Sequence, residues 1–220
     1  MFLPDKSIIE SKKEWNILAD ENAKYYIVSK KGRKINEAEF RQTGEENYNE
    51  LIRKDALLHE HLGSFSDKKV LDIGCGTGRL MEFFARDFES VDGIDISDVM
   101  VERGRERLKD LKNVRFTVGD GVSYPFPDNS FDLVFSYIVF QHMPSEEVVQ
   151  KNFEEVRRVL KPTGIAKIQI RGNQPVRKGT WFYGPSFDNK KARDLMDVTK
   201  LTILKEGNDS VKRFFLWLKK

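Results

Sequence analysis

Three glycines on alternate positions, Gly74, Gly76 and Gly78, directly follow an apolar run at 70–73 in the stretch VLDIGCGTGRL. Apolar residues at helical spacing (Leu80, Phe83, Phe84, Phe88) come next, so the chain turns sharply from strand to helix. Glycines there tolerate positive φ and carry no Cβ, which lets main-chain N–H groups and a helix N-terminus approach a small molecule closely. About 20 residues beyond Gly74, Asp95 closes a second apolar strand at 91–96, where a carboxylate can accept both hydroxyl protons of a ribose. Together the loop and the acid read as a nucleoside-binding site. In the dinucleotide fingerprint the third glycine stands three positions past the second, where this chain has Arg79; its own third glycine, Gly78, comes one residue too early.

The elements that must hold these residues are legible in the same way. From Lys69 onward apolar strands alternate with helical patterns, which predicts a parallel sheet covered on both faces. Ser97 or Asp98 caps the helix after Ile96, whose apolar positions include Val99, Met100 and Leu108. A third strand at 114–118 runs into Gly119-Asp120-Gly121, placing Asp120 at a strand's carboxyl end, the edge on which open α/β sheets bind ligands. The fourth strand, 131–137, is apolar on both faces, as a central parallel strand is. Ser145 caps the helix that follows; Glu146 and Glu147 in its first turn and Arg157, Arg158 and Lys161 near its end complement its dipole, and Pro162 and Gly164 stop it. Its buried stripe is Val149, Phe153, Val156 and Leu160.

The strand at 165–170 alternates apolar residues with Lys167, Gln169 and Arg171, an unusual polar face for a buried strand. An irregular stretch at 172–187 is rich in glycine, proline, aromatics and bases, and a loop of that length in a compact domain is usually functional or disordered. A last helix carries Ala192, Leu195 and Met196. Runs at 201–204 and 211–218, joined through 207–210, predict an antiparallel pair.

The first sixty residues read as a helical appendage with many aromatics (Trp15, Tyr25, Tyr26, Phe40, Tyr48), interrupted by a basic exposed turn at 30–34. They either pack on the sheet or form a lid that excludes water from a small-molecule site. Apolar residues from Tyr48 to Leu62 recur at helical spacing, and His59 and His61 beside them read as surface or packing residues. The expected organisation is therefore a lid at 1–60 and a ligand-binding domain at 61–220.

Composition narrows the function. Lys and Arg total 38 against 35 Asp and Glu, a net charge of +3, which gives no electrostatic reason to expect a nucleic acid or an anionic membrane as partner. The single cysteine, Cys75, has no partner for an internal disulfide, and no Cys/His cluster suggests a metal. No long apolar run marks a leader or a membrane span, so the expectation is a cytoplasmic protein.

Taken in order, VLDIGCGTGRL (70–80), GIDIS (93–97), FTVGDG (116–121), FDLVFSYIVFQHM (131–143) and VRRVLKPTG (156–164) resemble the class I S-adenosylmethionine-dependent methyltransferases, specifically the type 11 group of small-molecule methyltransferases. The resemblance implies a Rossmann-like α/β fold with a doubly wound, mostly parallel seven-stranded sheet, a C-terminal antiparallel hairpin and an N-terminal helical lid. It implies S-adenosylmethionine as cofactor and S-adenosylhomocysteine as product. Asp72 and the backbone of Gly74, Cys75, Gly76 and Gly78 would face the methionine part, Asp95 the ribose, and Ile96 and Met100 the adenine. Asp120 would accept from the adenine amino group, Gly121 would donate its N–H to the ring, and Ser136 and Tyr137 would lie near the sulfonium.

The acceptor is expected to be an oxygen or nitrogen atom of a small molecule. His142, just past the fourth strand, is the candidate base, with Tyr137 and Gln141 orienting the acceptor; the alternative for His142 is a loop histidine bonded to backbone or capping the next helix. An NAD(P)-dependent oxidoreductase and a non-catalytic nucleoside-binding module are the competing readings of the same loop. The sequence is silent on the acceptor's identity and on oligomeric state.

Overall fold

The computed structural model of the chain describes residues 6–28, 34–172, 184–210 and 213–220. The basic turn expected at 30–34 lies outside them apart from Lys34, as do residues 173–183 of the irregular loop. Seven strands among the described residues form one mixed sheet: β1 (Lys69–Ile73), β2 (Ser90–Asp95), β3 (Val114–Val118), β4 (Phe131–Ser136), β5 (Leu160–Arg171), β6 (Thr202–Ser210) and β7 (Arg213–Lys219). Their order is β3-β2-β1-β4-β5-β7-β6. β2 is parallel to β1 and β3, β5 is parallel to β4, and β7 is antiparallel to both β5 and β6. The α/β fold, the mostly parallel sheet and the antiparallel C-terminal pair are as the motif order implied. The chain forms two compact units, Lys12–Val118 and Gly119–Lys220, the latter joined by the start of the chain through Ser11.

In the Lys12–Val118 unit the helices are α1 (Lys6–Val28, most of which belongs here), α2 (Glu37–Tyr48), α3 (Ala56–Leu62), α4 (Met81–Asp87) and α5 (Asp98–Arg107). α1 breaks at Asn22, which leaves the helical region (φ −169°, ψ 80°), and its side-chain oxygen accepts the Tyr25 N–H at 3.1 Å, capping the second piece. A reciprocal capping box between Asn36 and Glu39 starts α2. The apolar run 48–62 divides into three parts: the end of α2, a π turn at Asn49–Arg53, and α3. Asp55 separates them because its carboxylate accepts the N–H groups of Leu57 and Leu58 and so opens a new helix. Tyr48 anchors α2: its ring meets Phe84 edge-on at 5.2 Å and its buried hydroxyl donates to Asp87, which Arg53 also grips through two nitrogens.

The Gly119–Lys220 unit holds β4, α6 (Glu146–Val159), β5, α7 (Asn189–Thr199), β6 and β7. All six residues of β4 are buried. Ser145 caps α6 as expected, accepting the Val148 N–H. β5 is longer than the 165–170 expected. It begins at Leu160, directly after α6, because Pro162 has no N–H for a helical bond and pushes Lys161 out of the helical region. The 207–210 segment, expected to connect the last two strands, is instead the end of β6, paired Gly207↔Phe215 and Asn208↔Phe214. Its Gly-Asn-Asp-Ser composition reads as a turn, but the ladder with β7 outweighs that local preference. Of the strand expected at 211–218, residues 211–212 lie outside the described residues.

Gly104 on α5 and Phe116 on β3 fix the packing of that helix on the sheet, since a Cβ on Gly104 would collide with the Phe116 ring. Gly104→Val should therefore cost about 1–3 kcal/mol, the scale of overpacking a filled core. A urea denaturation midpoint equal to wild type would contradict this packing.

Candidate functional site

The glycine loop has the geometry its sequence asks for. Gly74, Gly76 and Gly78 all adopt positive φ (68°, 53° and 78°), a region that L side chains reach only with strain. The N–H groups of Gly74 and Cys75 donate to Ile94 O at 2.7 and 3.2 Å, which carries the loop across the end of β2. Gly76 N–H then donates to Asp95 Oδ2 at 2.8 Å, and Ser97 N–H donates to Oδ1 at 2.9 Å. These two bonds orient the carboxylate. Burial pushes the Asp95 carboxyl above its ordinary value, against the pull of the N–H bonds from Ser97, Gly76 and Ile96.

Thr77 lies within the loop, 5% exposed, and its hydroxyl has no hydrogen-bond partner among the described residues. A buried hydroxyl left so is costly unless a ligand completes it. Cys75 packs against Gly93 beside Met81, and burial, with Asp95 and Asp72 nearby, pushes its thiol up; it is a space-filling residue rather than a nucleophile. Asp72, 4% exposed, is pushed up to about 8 by burial and the nearby Asp95 charge, with Arg79 opposing. Arg79 is itself buried and donates to Thr43 O and to Asn47 Oδ1 on α2 at 3.1 and 2.7 Å.

α1 covers this loop. The Ile27 side chain stands 3.0 Å from where a Gly76 Cβ would be, and Trp15, Ala19, Ala23 and Ile27 cluster with Val99 and Met100. Met100 is 2% exposed beneath them, whereas Ile96 is partly exposed. Polar contacts fix the cover at the head of α5: Asn16 Oδ1 accepts from Ser97 Oγ at 2.6 Å, and Lys12 pairs with Asp98 at 2.8 Å. Ser97 also caps α5 by accepting the Met100 N–H. None of these roles for Asn16, Ile27, Thr77 or Arg79 was read from the sequence. Their only signal was an amphipathic helical pattern, which does not say what a helix packs upon.

The Gly119–Lys220 unit positions the other expected residues. Asp120 turns back on its own loop, accepting the N–H groups of Val122 and Ser123 at 2.9 and 2.7 Å and the Ser123 hydroxyl at 2.5 Å. Desolvation works to raise its carboxyl, but these bonds outweigh it and hold the group below the usual range. Gly121 adopts φ 92°, and its carbonyl accepts from Asn152 Nδ2 at 2.8 Å; the Asn152 oxygen in turn accepts the buried Tyr124 hydroxyl. Asn152 is thus the residue of α6 that holds the turn after β3.

Ser136 ends β4 fully buried, and Tyr137 follows with its ring stacked on Phe215 of β7 at 5.9 Å. Gln141 and His142 lie in a short 3-10 turn, Phe140–His142, and the two side chains meet, Gln141 Nε2 to His142 Nε2 at 3.0 Å. The contact forms in either sense: the amide N–H donates to an unprotonated ring nitrogen, or the turned amide oxygen accepts from a ring N–H. Gly184 presses on this turn so closely that a Cβ would collide with the Gln141 carbonyl. The polar face of β5 finds its explanation here: Lys167 lies over the Phe215 and Trp217 rings at 5.2 and 4.7 Å, and Gln169 bonds to backbone. His59 is exposed and stacks on Phe65, in keeping with a packing role.

The raised Asp72 pKa has a consequence for stability. The folded state holds a proton that the unfolded chain has lost above pH 3.8, so stability falls as pH rises from there towards about 8 and levels off beyond. Asp72→Asn should flatten that decline. Parallel slopes of unfolding free energy against pH, between 5 and about 8, in wild type and variant would contradict the assignment.

Comparison with known proteins agrees with this geometry. Residues 70–164 match the family model described as a methyltransferase domain. A sterol 24-C-methyltransferase of Gibberella zeae is 38% identical over 132 residues, covering 54% of this chain and 33% of the relative. A demethylmenaquinone methyltransferase of Staphylococcus aureus is 36% identical over 117 residues, 52% of this chain and 47% of the relative. The chain thus spans a third to a half of the length of these curated relatives. In fold it matches the magnesium protoporphyrin IX methyltransferase of Synechocystis, solved with bound S-adenosylhomocysteine, over 98% of this chain and 100% of that one (TM-score 0.70, 16% identity). Residues 70–164 thus match a methyltransferase domain, and the chain as a whole has the fold of the Synechocystis methyltransferase.

Proposed function

We propose that the chain transfers the methyl group of S-adenosylmethionine to an oxygen or nitrogen atom of a small molecule. The observation that carries this reading is the positive-φ loop Gly74–Gly78, tied to Asp95 and containing the unpartnered Thr77 hydroxyl. That set fits the cofactor: Asp95, held at the end of β2, would accept from the ribose, and the loop would place backbone beside the methionine part. In this reading Ile96 and Met100 flank the adenine, Asp120 accepts from its amino group, Gly121 N–H meets its ring, and Ser136 and Tyr137 border the sulfonium. α1 and the rest of the 1–60 segment act as the lid, and Ile27 and Trp15 keep water off the loop.

The bound cofactor supplies a methyl group that is already electrophilic, so this chain's residues chiefly bind, align and dry the reactants. In its neutral form His142 accepts the proton that the acceptor's O–H or N–H loses as the new bond forms, and Gln141 beside it orients the acceptor. Asp72, mostly protonated at pH 7, gives up its proton when the cationic amino group of the cofactor arrives beside it. The small-molecule acceptor is supported by the relatives, whose names specify a sterol and demethylmenaquinone. Among the described residues no helix is long and apolar enough to cross a membrane.

Methyl-tritiated cofactor incubated with panels of sterols, quinols, small amines and hydroxy acids should label an extractable small molecule. Label transferred only to protein or nucleic acid would contradict the acceptor class. With the true acceptor, His142→Ala should lower turnover about 10²-fold or more while leaving cofactor affinity unchanged; wild-type turnover would return His142 to a structural role. Calorimetry of S-adenosylhomocysteine at pH 7 in phosphate and in Tris should show uptake of nearly one proton by the buffer, absent in Asp72→Asn. Equal heats in the two buffers for wild type would overturn the role given to Asp72.

A further inference from the structure

Ile138 is in the wrong conformation for its side chain. It adopts φ 61°, the left-handed region, where a β-branched residue is a genuine outlier, and it does so two residues past the end of β4. Strain of this kind persists only where the surroundings over-determine it. The determinant is Gln169 of β5, whose side chain is fully buried. Its Oε1 accepts the Ile138 N–H at 2.8 Å, and its Nε2 donates to the Ile170 carbonyl at 2.5 Å, so both ends of the amide are used and its orientation is fixed. Register places Gln169 opposite Phe215 on β7, the ring on which Tyr137 is stacked nearly parallel at 10°. The amide therefore holds the backbone on one side of Tyr137 while its strand partner receives the Tyr137 ring.

We propose that Gln169 is a positioning residue for methyl transfer: by holding Ile138 in the left-handed conformation, it aims Ser136 and Tyr137 at the reacting sulfonium. This rests on the reading above that Ser136 and Tyr137 border the cofactor. A leucine at 169 fills the same volume but leaves the part-buried Ile138 N–H without the Gln169 acceptor, and the turn relaxes towards negative φ. Glycine at 138 reaches φ 61° without strain and no longer needs the hold. The two positions should thus be coupled, which a merely space-filling glutamine would not be.

The test is a cycle of wild type, Gln169→Leu, Ile138→Gly and the double variant, each titrated with S-adenosylmethionine by calorimetry and unfolded in urea. Gln169→Leu should weaken binding about tenfold, the scale of losing one buried hydrogen bond. Adding Ile138→Gly should recover most of that loss, and the urea midpoints should be non-additive in the same sense. Unchanged binding in Gln169→Leu, or an equal loss in both backgrounds, overturns the proposal. If Gln169→Leu fails to fold, folding of the double variant supports the coupling and its failure overturns it. If wild type binds no cofactor, the functional reading fails separately, and additivity of the urea midpoints alone decides against the hold on Ile138.

Discussion

The carboxylate of Asp95 is the constraint on which the Lys12–Val118 unit depends. It receives Gly76 N–H from the loop after β1 and Ser97 N–H from the residue that caps α5, so one side chain joins two strand ends and a helix N-terminus. The bonds require the loop to bring backbone to the acid, and only residues without a Cβ reach the positive φ that this takes at 74, 76 and 78. Ser97 in turn bonds Asn16, so the same acid fixes the place where α1 comes down on the loop. Holding a carboxylate at a partly buried strand end raises its pKa, and the N–H groups offset part of that cost.

The Gly119–Lys220 unit uses the same device with other residues. Asp120 is satisfied by its own turn, and Asn152 reaches from α6 to hold Gly121 while accepting from Tyr124. Ile138 is held by Gln169 in the same manner. Asn152 and Gln169 are both buried amides, and each holds a backbone turn past the end of a strand. The residues that would meet the ligand are thus set by others that do not touch it, an arrangement suited to alignment of a reactive cofactor.

Much of this was legible in the sequence, and the reasons differ by element. The first four strands, the caps at Ser97 and Ser145 and the glycine loop were readable because each rests on local chemistry: periodicity, side-chain capping, or a required φ. The division of 48–62 into a π turn and a new helix was missed because apolar spacing is nearly the same in both, and only Asp55 signalled the break. Residues 207–210 misled because their composition favours a turn while a partner strand decides their conformation. Lys167 and Gln169 were visible as an anomaly in an otherwise apolar strand, but their partners, two aromatic rings and one backbone N–H, are distant in sequence and left no local mark.

The most direct test of the central claim is calorimetric titration of the purified chain and of Asp95→Ala with S-adenosylmethionine, S-adenosylhomocysteine and NADH. The structure predicts binding of the two sulfur nucleosides and not of NADH, weakened in the variant by about 1–3 kcal/mol, the scale for losing charge-assisted hydrogen bonds, with its unfolding transition still cooperative. Binding of NADH alone, or equal affinity for the sulfur nucleosides in both proteins, would contradict the assignment of Asp95 and with it the reading of the glycine loop.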